Sequence, residues 1–308
     1  TCRDWSSDVC SSDLDEFLIP LVVVDQDKQP VGKIEEGDTV IFANFRKDRA
    51  RQISAALLSA EGGKISNQIK RPTVELIAFA NYDEKLDLKT VFVFPQITAY
   101  LGQDLAQAGK KQLRIAETEK YAHVTYFFNG GGEKPFSGED RILIESKKVD
   151  SYDQAPEMSA REITDRLAKE LDKDQYDFIL VNYANPDMVC HTGNLSAAVK
   201  ALEETDRCLG ELMESVLKKE GFLLITADHG NVEEMVNPRN GEVDTEHSLN
   251  PVPCWLVSRE YYIDEKKSAE SVSTGGMLMD IPVTVLDLLG LKKNPKMEGE
   301  SLLNLVEK

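Results

Sequence analysis

The chain has 308 residues, 41% of them hydrophobic and 29% charged, which is enough to bury a core and to build about two domains. Its formal charge of −18 speaks against nucleic acid and anionic membrane as partners, because the summed field repels polyanions, while a few focused cations can still hold a small anion in a cleft. With no apolar run of about eighteen residues and no basic-then-apolar leader, the reading is a cytoplasmic protein without a membrane span, and five cysteines lacking CxxC spacing fit reduced thiols.

Residues 1–14 contain the near-repeat Ser-Ser-Asp-Val and Ser-Ser-Asp-Leu without amphipathic period, and read as a foreign extension or disordered tail. A smaller, partial α/β unit is expected over 15–94. It comprises strands at 21–24 and 39–45, a helix over 46–59, and strands at 74–79 and 91–94 separated by a polar loop at 82–89. From 95 to 308 helix and strand periods alternate, which predicts an α/β domain built on a mostly parallel sheet flanked by helices. Its elements are a helix over 97–109, a strand at 112–116, and a helix over 119–128 stopped by Gly130-Gly131-Gly132. A helix to residue 172 comes next, opened by a Ser159/Glu162 capping box, and then a strand at 178–183. The helix over 195–219 has apolar residues Leu195, Val199, Leu202, Leu209, Leu212, Met213 and Val216 at one-face spacing. Strands at 222–227 and 252–257 and a helix over 278–289 complete the pattern.

Only four histidines occur, and three stand beside acidic residues at strand ends: Asp187 with His191, Asp228 with His229, and Glu246 with His247. Neutral imidazole and carboxylate ligate divalent ions, and two Asp with three His can begin to hold two. Asp187 and His191 are four apart, so a helix starting near Pro186 puts both on one face. Adjacent Asp228 and His229 diverge and favour a bimetallic arrangement. A single Asp-His pair is ordinarily a satisfied imidazole; three clusters closing different elements favour metal. Cys190 could also ligate, but Asp187 is the better-spaced donor. Arg46 and Arg49, three apart at a helix start, share a face near its positive end, where phosphate or carboxylate oxygens are stabilised.

The blocks Asn44-Phe45-Arg46-Lys47-Asp48-Arg49-Ala50, Ala116-Glu117-Thr118-Glu119-Lys120-Tyr121, Asn185-Pro186-Asp187-Met188-Val189-Cys190-His191, Thr226-Ala227-Asp228-His229-Gly230-Asn231 and His247-Ser248-Leu249-Asn250-Pro251-Val252-Pro253 lie in order along the chain. Together they resemble the cofactor-independent phosphoglycerate mutases of the alkaline phosphatase superfamily. The resemblance runs from about Asp15 to the C-terminus and implies an alkaline-phosphatase-like fold and a glycolytic isomerase. It implies that Asp187, His191 and His247 ligate one divalent ion and that Asp228 and His229 form half of a second shell. The ions would be two, usually Mn2+, with Mg2+ or another divalent ion as an option, and no 2,3-bisphosphoglycerate would be needed. Lys120 takes the position of the active-site lysine, and Arg46 and Arg49, together with Lys120, that of the substrate-binding residues. Cys190 stands where the family commonly has glycine, and His123 reads as structural or outer-shell rather than as a ligand.

The implied reaction exchanges 3-phosphoglycerate and 2-phosphoglycerate through a metal-assisted phosphoserine. That serine and an Asp in a glycine-rich block, which complete the second shell in the family, have no counterpart in these residues. The expectation is an N-terminally truncated chain, inactive alone, with unpaired sheet edges that promote aggregation, and a monomer in full-length form. Two other readings compete: a phosphopentomutase, sulfatase or phosphatase of the same superfamily, opposed by the Arg46-x-x-Arg49 and Glu119-Lys120-Tyr121 blocks, and a non-catalytic metal-binding module.

Overall fold

The computed structural model describes residues 22–45, 50–58, 72–83, 85–92, 97–238, 240–261 and 274–305. Two compact units divide the chain, Asp15–Gln96 and Ile97–Lys308. The expected tail over 1–14 and the pair Arg46 and Arg49 lie outside the described residues. Among the described residues no helix is long and apolar enough to cross a membrane.

In the smaller unit, β1 (Thr39–Phe42), β2 (Glu75–Ala78) and β3 (Lys89–Thr90) form a parallel sheet in that order, with α1 (Ala50–Leu58) between β1 and β2. Ala50, Ala78, Ala80 and Tyr82 make its core, and the Tyr82 hydroxyl donates to the Phe42 and Asn44 carbonyls. The third strand starts earlier than the apolar run at 91–94 suggests. Val91 and Phe92 still donate to the Ala78 and Phe79 carbonyls at 2.9 and 3.1 Å, so polar Lys89-Thr90 belongs to the same ladder. The strand expected at 21–24 is not one where it is described. Val22, Val23 and Val24 are exposed, and Val24 meets Pro30 in a single bridge around a turn in which the Asp25 carboxylate accepts from the Asp27 and Gln29 amides. Local turn chemistry prevails over β propensity because no sheet among the described residues covers those valines.

The larger unit is built on β4 (Gln112–Glu117), flanked by β5 (Glu139–Ile144) and β6 (Phe178–Asn182), all parallel. Parallel central strands are covered on both faces, which explains why every residue of β4 is buried. Leu113 and Ile115 pack with Ile163 and Leu167 of α4 (Ala160–Asp172) and with Leu212 of α6 (Leu195–Lys218). The other face is held by Leu101 and Leu105 of α2 (Leu101–Gln107) and Leu286 of α7 (Asp280–Leu288). A second sheet pairs β7 (Leu223–Thr226) with β8 (Cys254–Val257) antiparallel.

Strand β5 has no counterpart among the expected elements. Its Ile142-Leu143-Ile144 run is too short to stand out beside Asp140 and Arg141, and the register with β4 supplies what periodicity does not. Past β4 the chain turns into α3 (Thr118–Ala122), runs on as a π-helical turn His123–Phe127, and reaches Gly130 and Gly131, whose φ of 65° and 90° match the expected stop. The capping box does not form. The Ser159 hydroxyl donates to the Glu145 carbonyl at 2.9 Å, and Glu162 pairs with Lys147, so tertiary partners displace the local motif.

Helix α6 also differs from expectation. Its buried side is Ala197, Ala198, Ala201, Cys208 and Leu212, while Leu195, Val199, Leu202 and Met213 are exposed. Small residues let α5 (Asn185–Cys190) approach closely, and buried Asn185 donates to the Ala201 carbonyl at 2.9 Å and the Thr205 hydroxyl at 3.0 Å, tying the two helices together. The exposed side is then an apolar patch on a solvent-facing surface. The Val199→Lys/Leu202→Lys double variant is expected to reduce concentration-dependent association in sedimentation velocity without lowering the melting temperature, and unchanged association would acquit this face.

Candidate metal centre

Strands β4 and β6 are hydrogen-bonded neighbours with Ala116 opposite Asn182, so the segments after them emerge at one edge and deliver Lys120 from α3 and Asp187 from α5. Pro186 at the start of α5 has no amide hydrogen to leave unsatisfied, and one helical turn carries Asp187 and His191 onto the same face. The loop after β7 brings Asp228 and His229, and the loop before β8 brings His247.

Three donors converge. The Asp187 Oδ1 atom lies 3.2 Å from His191 Nε2 and 3.3 Å from His247 Nε2, and the two nitrogens are 3.3 Å apart. A triangle with such sides lets one ion sit about 2.0–2.2 Å from every corner, the usual length of nitrogen and oxygen bonds to Zn2+ and similar ions. His191 Nδ1 donates to the Thr245 carbonyl at 2.7 Å, which fixes the tautomer and leaves the Nε2 lone pair facing the triangle's interior. Burial and the stacked His229 ring, 3.7 Å away, push His247 below the usual imidazole range, so it is a neutral donor at pH 7. One anionic carboxylate oxygen and two imidazole nitrogens thus meet at a single point, and this donor set fits a divalent ion.

Asp228 and His229 form a looser second group. His229 Nε2 is 3.8 Å from Asp228 Oδ1 and 3.9 Å from Asp187 Oδ1, so these adjacent side chains stay near each other where divergence is expected from their spacing, and His229 also faces Asp187. The Lys120 ammonium, 5% exposed, lies 2.6 Å from Asp187 Oδ2 and 3.9 Å from Asp228 Oδ2. Burial pushes the Asp187 carboxyl up, but the charge and hydrogen bond of Lys120 are among the interactions that outweigh it and hold Asp187 well below the usual carboxylate range. Cys190 faces the core, and burial pushes its thiol up to about 12, so it is protonated and no rival to Asp187. His123 packs against Phe127 and stands outside the converging donors.

Two buried polar residues on these segments are not singled out by sequence reasoning. Asn231, 4% exposed, donates from Nδ2 to Asp187 Oδ1 at 2.5 Å. Glu117 is fully buried at the end of β4 and accepts from the Ser159 amide. Burial raises its carboxyl, so the unfolded chain ionises at lower pH than the native one, and stability falls as pH rises from the ordinary carboxylate range through the raised one. Glu117→Gln should therefore melt higher than the wild type at pH 8 and alike near pH 4; a constant offset would mean packing, not charge.

A cleft of about 310 Å3 opens beside His247, lined by Glu234, Asp244, Glu246, Ser248, Leu249 and Asn250. Its acidic walls repel phosphate and carboxylate, so an anion would need bound cations to enter.

The Metalloenzyme superfamily profile matches residues 19–293. The 2,3-bisphosphoglycerate-independent phosphoglycerate mutase of Clostridioides difficile (strain 630) is 48% identical over 293 residues, covering 94% of this chain and 55% of that protein. The protein of the same name from Thermomicrobium roseum is 45% identical over 290 residues with the same coverage. A crystal structure of Leishmania mexicana phosphoglycerate mutase at low cobalt concentration superposes with a TM-score of 0.75 and 28% identity, covering 90% of this chain and 52% of that one. The mixed α/β architecture is thus the alkaline-phosphatase-like one. This chain spans about 55% of the length of the curated relatives it matches.

Proposed function

Because the chain belongs to the Metalloenzyme superfamily, we propose that it forms part of an isomerase that interconverts 3-phosphoglycerate and 2-phosphoglycerate through a phosphoserine, using two divalent ions, preferably Mn2+. The carrying observation is the Asp187, His191 and His247 triangle with Lys120 spanning Asp187 and Asp228. Asp187, His191 and His247 would hold one ion, and Asp228 with His229 part of the shell of another. Such ions lower the pKa of a hydroxyl nucleophile and neutralise phosphoryl oxygens when bound. Asp187 stays anionic, His191 is held in its donor tautomer by Thr245, and Lys120 adds a fixed positive charge beside the carboxylates, where negative charge builds on a phosphoryl group. Arg46 and Arg49 would grip the glycerate carboxylate and phosphate. The partner is a small phosphorylated acid, the reading of the larger assembly is monomeric and cytoplasmic, and 2,3-bisphosphoglycerate is not required.

Among the described residues Asp228 and His229 alone do not close a second shell, so these 308 residues by themselves are expected to bind Mn2+ yet to give no turnover. Phosphorus NMR of 3-phosphoglycerate with purified chain and Mn2+ checks this. Appearance of 2-phosphoglycerate would refute the incompetence, and absence of Mn2+ binding by calorimetry would refute the metal reading.

A further inference from the structure

We propose that Asn231 and Glu233 are positioning residues, forming a clasp that ties the three ligand-bearing segments together and sets the rotation of the Asp187 carboxylate. The inference rests on the metal reading above and concerns residues that do not themselves reach the ion.

The clasp can be followed atom by atom. Asp187 Oδ1, the corner nearest both imidazole nitrogens, accepts from Asn231 Nδ2 at 2.5 Å. A carboxylate oxygen has two lone-pair directions; an amide on one of them leaves the other to aim at an ion and stops the group from spinning. The Asn231 backbone amide in turn donates to Glu233 Oε2 at 2.8 Å. The other oxygen of Glu233 accepts from the Ser248 hydroxyl and from Asn250 Nδ2 at 3.1 Å, and the Ser248 amide donates to the Gly230 carbonyl at 2.9 Å. The segment after β7, the helix bearing Asp187 and the segment bearing His247 are thereby joined through one carboxylate and one amide.

Two further observations point the same way. A Cβ on Gly230 would lie 2.2 Å from the Ser248 hydroxyl and 2.5 Å from Glu233 Oε1, so any side chain there would have to displace the two groups that form the clasp. Burial pushes the Glu233 carboxyl up, but hydrogen bonds from Ser248 and the Asn231 amide outweigh it and hold it low, so the clasp is anionic and accepts only.

The experiment is a Co2+ titration of the full 308-residue chain, wild type, Asn231→Ala and Glu233→Gln, read by the visible d–d bands of the ion and by the melting temperature without metal. Asn231→Ala is expected to raise the Co2+ dissociation constant about 10–100-fold, the usual effect of losing a partner of a metal ligand, and to change the band envelope, with the metal-free melting temperature moved by no more than a few degrees. Glu233→Gln, which keeps the shape and one acceptor oxygen, should give a smaller change of the same kind. Wild-type binding with an Asn231→Ala constant within twofold overturns the clasp alone, as does a weaker constant matched by an equal loss of metal-free stability. A wild-type chain that takes up no Co2+ overturns the metal reading and the clasp with it.

Discussion

Asp187→Ala is expected to weaken Mn2+ binding by more than the roughly hundredfold typical of losing an outer partner, because Asp187 is the one anionic donor in the triangle. His191 and His247 remain, but two neutral imidazoles offer neither the charge nor the third corner needed to fix an ion against water. The change also removes the acceptor of Asn231 and the closest partner of Lys120, so the residual site carries a net positive lysine where the ion should sit. Calorimetric titration with Mn2+ measures this directly. Cys190→Ala is the companion control: its thiol is buried in the core and protonated, and its removal should leave the Mn2+ constant unchanged while lowering the melting temperature through the small cavity it opens. Tight binding by Asp187→Ala would mean that the ion is held by other residues.

The site is readable from sequence while part of its support is not, and the reason lies in how each residue acts. Asp187 and His191 are four apart on one helical turn, so local spacing carries their shared face, while Asp228 and His229 follow an apolar strand, which places them at its end without telling how the two side chains lie. His247 is assigned only through its motif, since nothing local tells which loop folds back toward α5. Asn231 and Glu233 act across 44 and 15 residues of sequence, on Asp187 and Ser248, and Asn and Glu in a loop are otherwise ordinary polar residues. The same division holds for the fold. The strand at 178–182 is legible as an apolar run and β4 by its alternating Leu113 and Ile115, whereas β5 depends on pairing with β4. For helix α6 the apolar spacing is right at Leu212 and wrong toward the N-terminal half: periodicity marks a stripe, but close packing against α5 selects alanines there, and the larger Leu195, Val199 and Leu202 are left outside.

Lys120→Met is expected to destabilise the metal-free chain by about 3–5 kcal/mol, the cost of removing one partner from a buried ion pair. The ammonium is 5% exposed and Asp187 14%, so the surviving carboxylate keeps little solvent to replace a partner at 2.6 Å, and Asp228 loses its neighbour at 3.9 Å. Urea unfolding in EDTA measures the loss. The pair, rather than the lysine's packing, is responsible only if Lys120→Met/Asp187→Leu recovers much of the stability, because an apolar pair leaves no uncompensated charge. Additive losses in the double variant would assign the effect to volume. A divalent ion offers a further discrimination. It supplies the positive charge that methionine lacks, so saturating Mn2+ should stabilise Lys120→Met by more than it stabilises the wild type, in which lysine and ion compete for the same carboxylate. Equal stabilisation of the two would mean that Lys120 and the ion occupy independent ground, with Asp187 Oδ2 serving the lysine and Oδ1 the metal.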